Sequence, residues 1–133
     1  MDLFEMLAEQ RVYNWMAYRS FEELEVWKKS CRLAVRMYEA LRACKDFGLK
    51  DQMTRSAVSI ASNIAEGAER GSRLEFIRFL HIAKGSAAEL RTQVYIAQQI
   101  EALPVSCAKE LINDLKTISA MLQNLIKTLK PKT

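Results

Sequence analysis

The sequence predicts an all-α fold, a left-handed, up-down-up-down four-helix bundle. Three observations lead there. Apolar residues recur at spacings of three and four on four separate long segments, which places each set on one side of a helix. Only two prolines and four glycines occur in 133 residues, too few for a turn-rich sheet protein. Hydrophobic residues make up 50% of the chain, enough for one domain with a substantial core.

The first helix is announced by Ser20-Phe21-Glu22-Glu23, which has the form of a capping box. It is predicted to run to about Phe47. One stripe is Trp27, Cys31, Ala34, Tyr38 and Leu41, and a second is Val26, Leu33, Met37, Ala40, Cys44 and Phe47. Two apolar stripes mean more than one neighbour. Gly48 is the expected left-handed terminator. The second helix is predicted from about Asp51 to Arg70, with Ala57, Ile60, Ala61, Ile64 and Ala68 as its apolar face and Val58 and Ala65 alongside. Gly71 and Ser72 break it. Ser72-Arg73-Leu74-Glu75 is another capping box and opens the third helix. That helix carries Phe76, Leu80, Ala83, Ala87, Leu90, Val94 and Ala97 and reaches about Leu103. Pro104 marks the next corner. The fourth helix runs from about Ser106 to Leu129 on the stripe Ala108, Leu111, Leu115, Ile118, Leu122, Leu125 and Leu129.

Residues 1–20 have a different character. They hold three acids, two bases and the aromatic cluster Tyr13, Trp15 and Tyr18 without a long stripe. The expected organisation is an N-terminal extension, 1–20, and a bundle domain, 21–133. No apolar run is long enough to span a bilayer, and no secretory signal is recognisable at the start. A cytoplasmic protein without a membrane partner is the expectation.

A polar row lies beside the apolar face of the second helix: Ser56, Ser59, Asn63, Glu66 and Arg70. The third helix offers Ser86, Glu89 and Gln93 one turn apart. The reading adopted is a hydrogen-bonded packing seam built from Ser59, Asn63, Glu66, Ser86 and Glu89, because buried polar groups persist only when paired. Gly67 and Gly85 interrupt helical pattern at a cost of about 1 kcal/mol each relative to alanine. They are read as points of close helix packing.

No catalytic residue is assigned. A hydrolase using Glu66, Glu89 and His81 is the alternative, and it requires all three around one cleft. His81 is the only histidine, and Cys31, Cys44 and Cys107 match no ligand spacing. Neither a metal nor a cofactor is expected. The cysteines read as small buried hydrophobes.

The formal net charge is +4, and residues 21–133 hold 18 bases against 13 acids, a net of +5. Such an excess favours acidic partners. Candidate contacts to an RNA or DNA backbone are Lys28, Arg32, Arg36, Arg55, Arg70, Arg73, Lys84 and Arg91. Acids accompany many of these bases, and Glu25 is placed to pair with Lys29.

Three stretches carry a family resemblance. They are Phe21-Glu22-Glu23-Leu24-Glu25-Val26-Trp27-Lys28-Lys29-Ser30, the run from Arg55 through Ser59, Asn63 and Glu66 to Gly67, and the run from Phe76 through His81, Gly85 and Ser86 to Leu90. From Phe21 to about Leu129 the chain resembles the four-helix bundle proteins associated with intervening sequences of bacterial 23S ribosomal RNA genes. The resemblance implies assembly as a homopentamer with a central channel. It also implies similarity to the accessory protein of diversity-generating retroelements, a basic pentameric barrel that binds its reverse transcriptase and nucleic acid. The expected function is therefore a non-enzymatic oligomeric scaffold with RNA, a reverse transcriptase or another protein as partner, and a pure protein adaptor is the other alternative.

Overall fold

The computed structural model describes residues 20–131, together with Leu3. The expected N-terminal extension lies almost wholly outside the described residues. Among the described residues, a single 3-10 turn, Phe21–Glu23, precedes four long helices: α1 (Glu25–Ala40), α2 (Phe47–Glu69), α3 (Arg73–Gln99) and α4 (Val105–Leu129). α1 and α3 each pack against both α2 and α4, so the four helices surround one core. The expected all-α four-helix bundle is what forms.

Most of the core is made by the predicted stripes, but Tyr38 and Phe47, expected on the apolar sides of the first helix, are 52% and 73% exposed and lie outside it. Every member of the α3 set from Phe76 to Ala97 is buried. On α4 the set holds from Ala108 to Leu122, and then Ile126 takes the buried position while Leu125 is half-buried. The cause is rotational drift, because a strict seven-residue repeat slips by about 20° per heptad on a straight α-helix. Leu33, Met37 and Leu41 close the core from the α1 side. Burying each such side chain contributes roughly 1.5–3 kcal/mol.

Several boundaries differ from the sequence expectation. α1 ends at Ala40 instead of continuing to Phe47. Leu41 and Cys44 still pack on the core from the turn that follows, so the apolar period outlasts the helix. The Asp46 carboxylate then accepts from the Leu49 amide at 3.0 Å and starts α2 four residues early. Gly48 thus sits in the first turn of α2 and is not a terminator. Ser20 caps only the short 3-10 turn, accepting from the Glu22 amide at 3.2 Å. Ser72 does cap α3, accepting from the Glu75 amide at 3.3 Å, and Gly71 supplies the left-handed φ of 73° at that corner. α3 ends at Gln99, before the expected Leu103. Glu101 takes φ 61°, and the Ala102 amide reaches back to the Ala97 carbonyl at 2.8 Å, closing the helix as a glycine would. Leu103 is buried just beyond it.

The two glycines of the expected packing seam behave differently. A Cβ on Gly67 would lie 2.5 Å from the Phe79 Cβ and 3.2 Å from Phe76 Cδ1, so α2 and α3 approach too closely there for any side chain. Gly85 is exposed, and a Cβ on it would meet nothing within 4 Å. It is not a close-packing position within one chain. Gly67→Ala is expected to lower stability by about 1–2 kcal/mol despite better helix propensity, because overpacking dominates. Gly48→Ala, whose Cβ would make an ordinary 3.6 Å contact with Asp46 Oδ1, is expected to gain up to about 1 kcal/mol. Urea unfolding of the two variants should move in opposite directions from the parent.

Candidate functional site

The polar row on α2 divides according to how well each group tolerates leaving water. Ser59 and Ser86 bridge α2 and α3 through a hydroxyl pair 2.9 Å apart. Asn63 Nδ2 donates to the Ser59 carbonyl at 2.8 Å and to Ser59 Oγ at 2.9 Å. These three half-buried side chains form a local network. Glu66 and Glu89, expected in the same seam, do not join it. Glu66 is exposed and pairs along its own helix with Arg70 at 3.1 Å. Glu89 is also exposed. A carboxylate costs far more to desolvate than a hydroxyl, so both carboxylates stay at the water boundary. Gln93 is buried at 8% exposure, and its Oε1 has no hydrogen-bond partner among the described residues. Ser30 and Thr54 are buried too, but they bond to carbonyls of their own helices.

Beside the serine bridge is an open groove of about 260 Å³ lined by Gln52, Arg55, Ser56, Ser59, Ser86 and Glu89. Of the alternative hydrolase trio, only Glu89 reaches it. Glu66 and His81 are exposed outside its lining. The structure therefore does not gather Glu66, Glu89 and His81 in this groove. Among the described residues, no group of three or more His, Cys, Asp or Glu side chains is arranged to hold a metal ion. No described helix is long and apolar enough to cross a membrane. The three cysteines are partly buried thiols. Burial pushes the Cys31 thiol above its ordinary pKa, while the Arg32 charge opposes that shift.

Most of the candidate nucleic-acid contacts are already engaged within the chain. Arg36 reaches across to α4, pairing with Asp114 and, at 3.1 Å, with Glu110. Lys29 joins the same Asp114 at 3.5 Å. Glu25 pairs with Lys28 at 3.4 Å, not with Lys29 as the spacing suggested. Arg55 pairs with Asp51 at 3.0 Å, and Lys84 donates to Gln123 at 2.7 Å. Arg73 is engaged as well. Arg70 and Arg78 place their guanidinium groups 4.8 and 4.6 Å from the Phe79 ring centre. The Arg78 hydrogen bond holds the Glu75 carboxyl below its ordinary pKa, opposed by desolvation and aided by the nearby Arg78 and Arg70 charges. Arg32 is exposed and Arg91 half-buried, and neither forms an ion pair with a described residue.

The Lys29–Asp114–Arg36–Glu110 cluster is invisible to one-helix reasoning. Its partners are more than seventy positions apart, and spacing along a chain reports only on pairs within a helix. Arg36→Ala is expected to cost about 1 kcal/mol, since partly exposed pairs are screened by water. Arg55→Ala, removing a more exposed pair within one helix, is expected to cost less than about 0.5 kcal/mol. Parallel denaturant titrations check the order of the two losses.

The model of the 23S rRNA-intervening sequence protein family matches residues 22–124. Among solved structures, the chain is similar to a protein of unknown function from the S23 ribosomal protein family of Bacteroides thetaiotaomicron VPI-5482, determined at 1.70 Å resolution. The two are 28% identical and superpose with a TM-score of 0.71, over 77% of this chain and 95% of that one. No curated protein matches the chain. The family match takes in three of the core helices whole and most of α4, and on that ground the chain belongs to the 23S rRNA-intervening sequence protein family.

Proposed function

We propose that this protein is a non-enzymatic, cytoplasmic scaffold that assembles through its bundle, residues 21–133, into a homopentameric ring, with residues 1–20 as an extension. The observation that carries this reading is apolar surface left over after the core is complete. Val35, Tyr38, Ile82, Tyr95, Ile96 and Ile100 are between 40% and 58% exposed. Scattered exposed apolar residues are ordinary, but these recur on the outer sides of α1 and α3 and suit burial against other copies. A left-handed up-down-up-down course accompanies the reading. Support for the up-down part of it is the order of the α2–α3 contacts, where Ser59 meets Ser86 and Gly67 lies against Phe79. Residues later on α2 meet residues earlier on α3, which suits antiparallel neighbours.

RNA backbone is the partner class proposed for the ring. Its support is the net +5 of residues 21–133, repeated in every copy. Because so many cations are already paired, binding would be carried by the summed field, would ignore base sequence and would fall steeply with salt. The proposed likeness to retroelement accessory proteins adds a reverse transcriptase as a protein client of the same scaffold.

Native mass measurement of the full chain at micromolar concentration is expected to give a five-chain species, and a strictly monomeric protein would overturn the assembly. Fluorescence titration with a structured RNA is expected to show binding at low salt that is lost at high salt. No binding at low salt would reject the RNA partner and leave the assembly standing.

A further inference from the structure

α1 and α3 each pack on both α2 and α4, so they face one another across the core and their outer sides look in different directions. Each outer side carries apolar residues. On α1, Val35 and Tyr38 lie three residues apart and are 58% and 52% exposed. On α3, Ile82, Gly85, Glu89 and Ile96 fall on one stripe by their spacing, with the two isoleucines 40% and 49% exposed. The charges left unpaired on the two sides are complementary, since Arg78 on the α3 stripe is already paired with Glu75. Arg32 and Arg42 flank the α1 pair, both are exposed, and neither forms an ion pair with a described residue. Glu39 is the acid that shares that side, and the two arginines outnumber it. Glu89 sits within the α3 stripe, exposed and without an ion-pair partner among the described residues. The bare backbone at Gly85, with open space where a Cβ would be, admits a neighbouring helix at close range.

We infer that these two sides are the halves of one heterologous interface, the outer side of α1 in one copy seated on the α3 stripe of the next, with Arg32 of one copy paired to Glu89 of its neighbour. The inference rests on the proposed assembly and specifies its contact. Pairing the α1 side with itself would leave Arg32 and Arg42 in excess over Glu39, and pairing the α3 side with itself would bring the unpaired Glu89 carboxylates together, so like charges oppose either contact. Pairing α1 with α3 matches opposite charges and apolar surface together. A heterologous contact of this kind repeats around an axis and closes into a ring when the rotation between neighbours allows it. The arrangement assigns Arg32 to the subunit contact and away from nucleic acid. It also gives Gly85 a purpose that one chain alone does not show.

Complementary one-sided variants of the full chain test this. Val35→Glu with Tyr38→Glu disables the α1 side, and Gly85→Gln with Ile96→Glu disables the α3 side. All four positions are exposed, so circular dichroism should show an unchanged helical fold. In sedimentation velocity each double variant is expected to be monomeric where the parent is assembled. An equimolar mixture of the two is expected to give a two-chain species and nothing larger, because each pair retains one working α1–α3 contact. Arg32→Glu or Glu89→Arg alone should weaken assembly by about tenfold or more, and the two together should restore it, as expected for a direct charge pair. A parent that assembles while both one-sided variants still assemble like it would overturn this interface alone. A mixture that remains monomeric would do the same. A monomeric parent would instead overturn the assembly on which the inference rests.

Discussion

Each of the four helices has one side that water solvates poorly, and everything else in the structure follows from hiding those sides in a single core. Leu80, Leu90, Leu111, Leu115, Ile118 and Leu122 are fully buried. At roughly 25 cal/mol per Å² of apolar surface, burial on that scale outweighs the individual ion pairs on the surface. The demand is steric as well as apolar. Where α2 meets the start of α3, the Phe79 side chain occupies the place a Gly67 Cβ would take. Phe79 is then capped from outside by the guanidinium groups of Arg70 and Arg78. One missing methyl group thus sets the helix spacing, and the corner's surface charges organise around the ring that fills it.

Polar groups near this core are sorted by their desolvation cost. Ser59, Asn63 and Ser86 satisfy one another at the α2–α3 boundary. Glu66 turns outward to Arg70, and Glu89 faces water. Of Glu66, Glu89 and His81, only Glu89 lines the groove beside the serine bridge. The same sorting also consumes much of the positive charge. Arg36 and Lys29 bind α4 to α1 through Asp114, so a formal excess of bases does not amount to a row of free phosphate ligands. Any attraction to nucleic acid has to come from a field shared among many groups.

The outer sides of α1 and α3 carry what the core leaves over. Their apolar residues are not continuous enough to be a second core, yet they sit on helices whose inner sides are fully occupied. In the proposed assembly, a surface of that kind links the packing of one chain to its association with others. The physical rule is the one that built the bundle, applied again at lower apolar density and with charge to choose the partner.

Helix number, helix class and most of the core were legible in the sequence, because an apolar stripe at a spacing of three and four is both a local pattern and a burial instruction. The α3 stripe from Phe76 to Ala97 was readable residue by residue, as was the Ser72 cap. Helix ends were less so. Leu41 and Cys44 keep the apolar period going after α1 has stopped, and only the Asp46 hydrogen bond to Leu49 shows where α2 starts. Spacing placed Ser59 and Glu66 in one polar row and Ser86 and Glu89 in another, but it could not say which would meet across helices and which would turn to water. Glycine identity marked Gly67 and Gly85 alike, while three-dimensional neighbours distinguish them completely. The sequence by itself determined four amphipathic helices and the residues that must leave water. Tertiary structure alone decided the cross-helix partners, since hydrogen bonds and ion pairs depend on distances of a few ångströms between groups that the chain order leaves far apart.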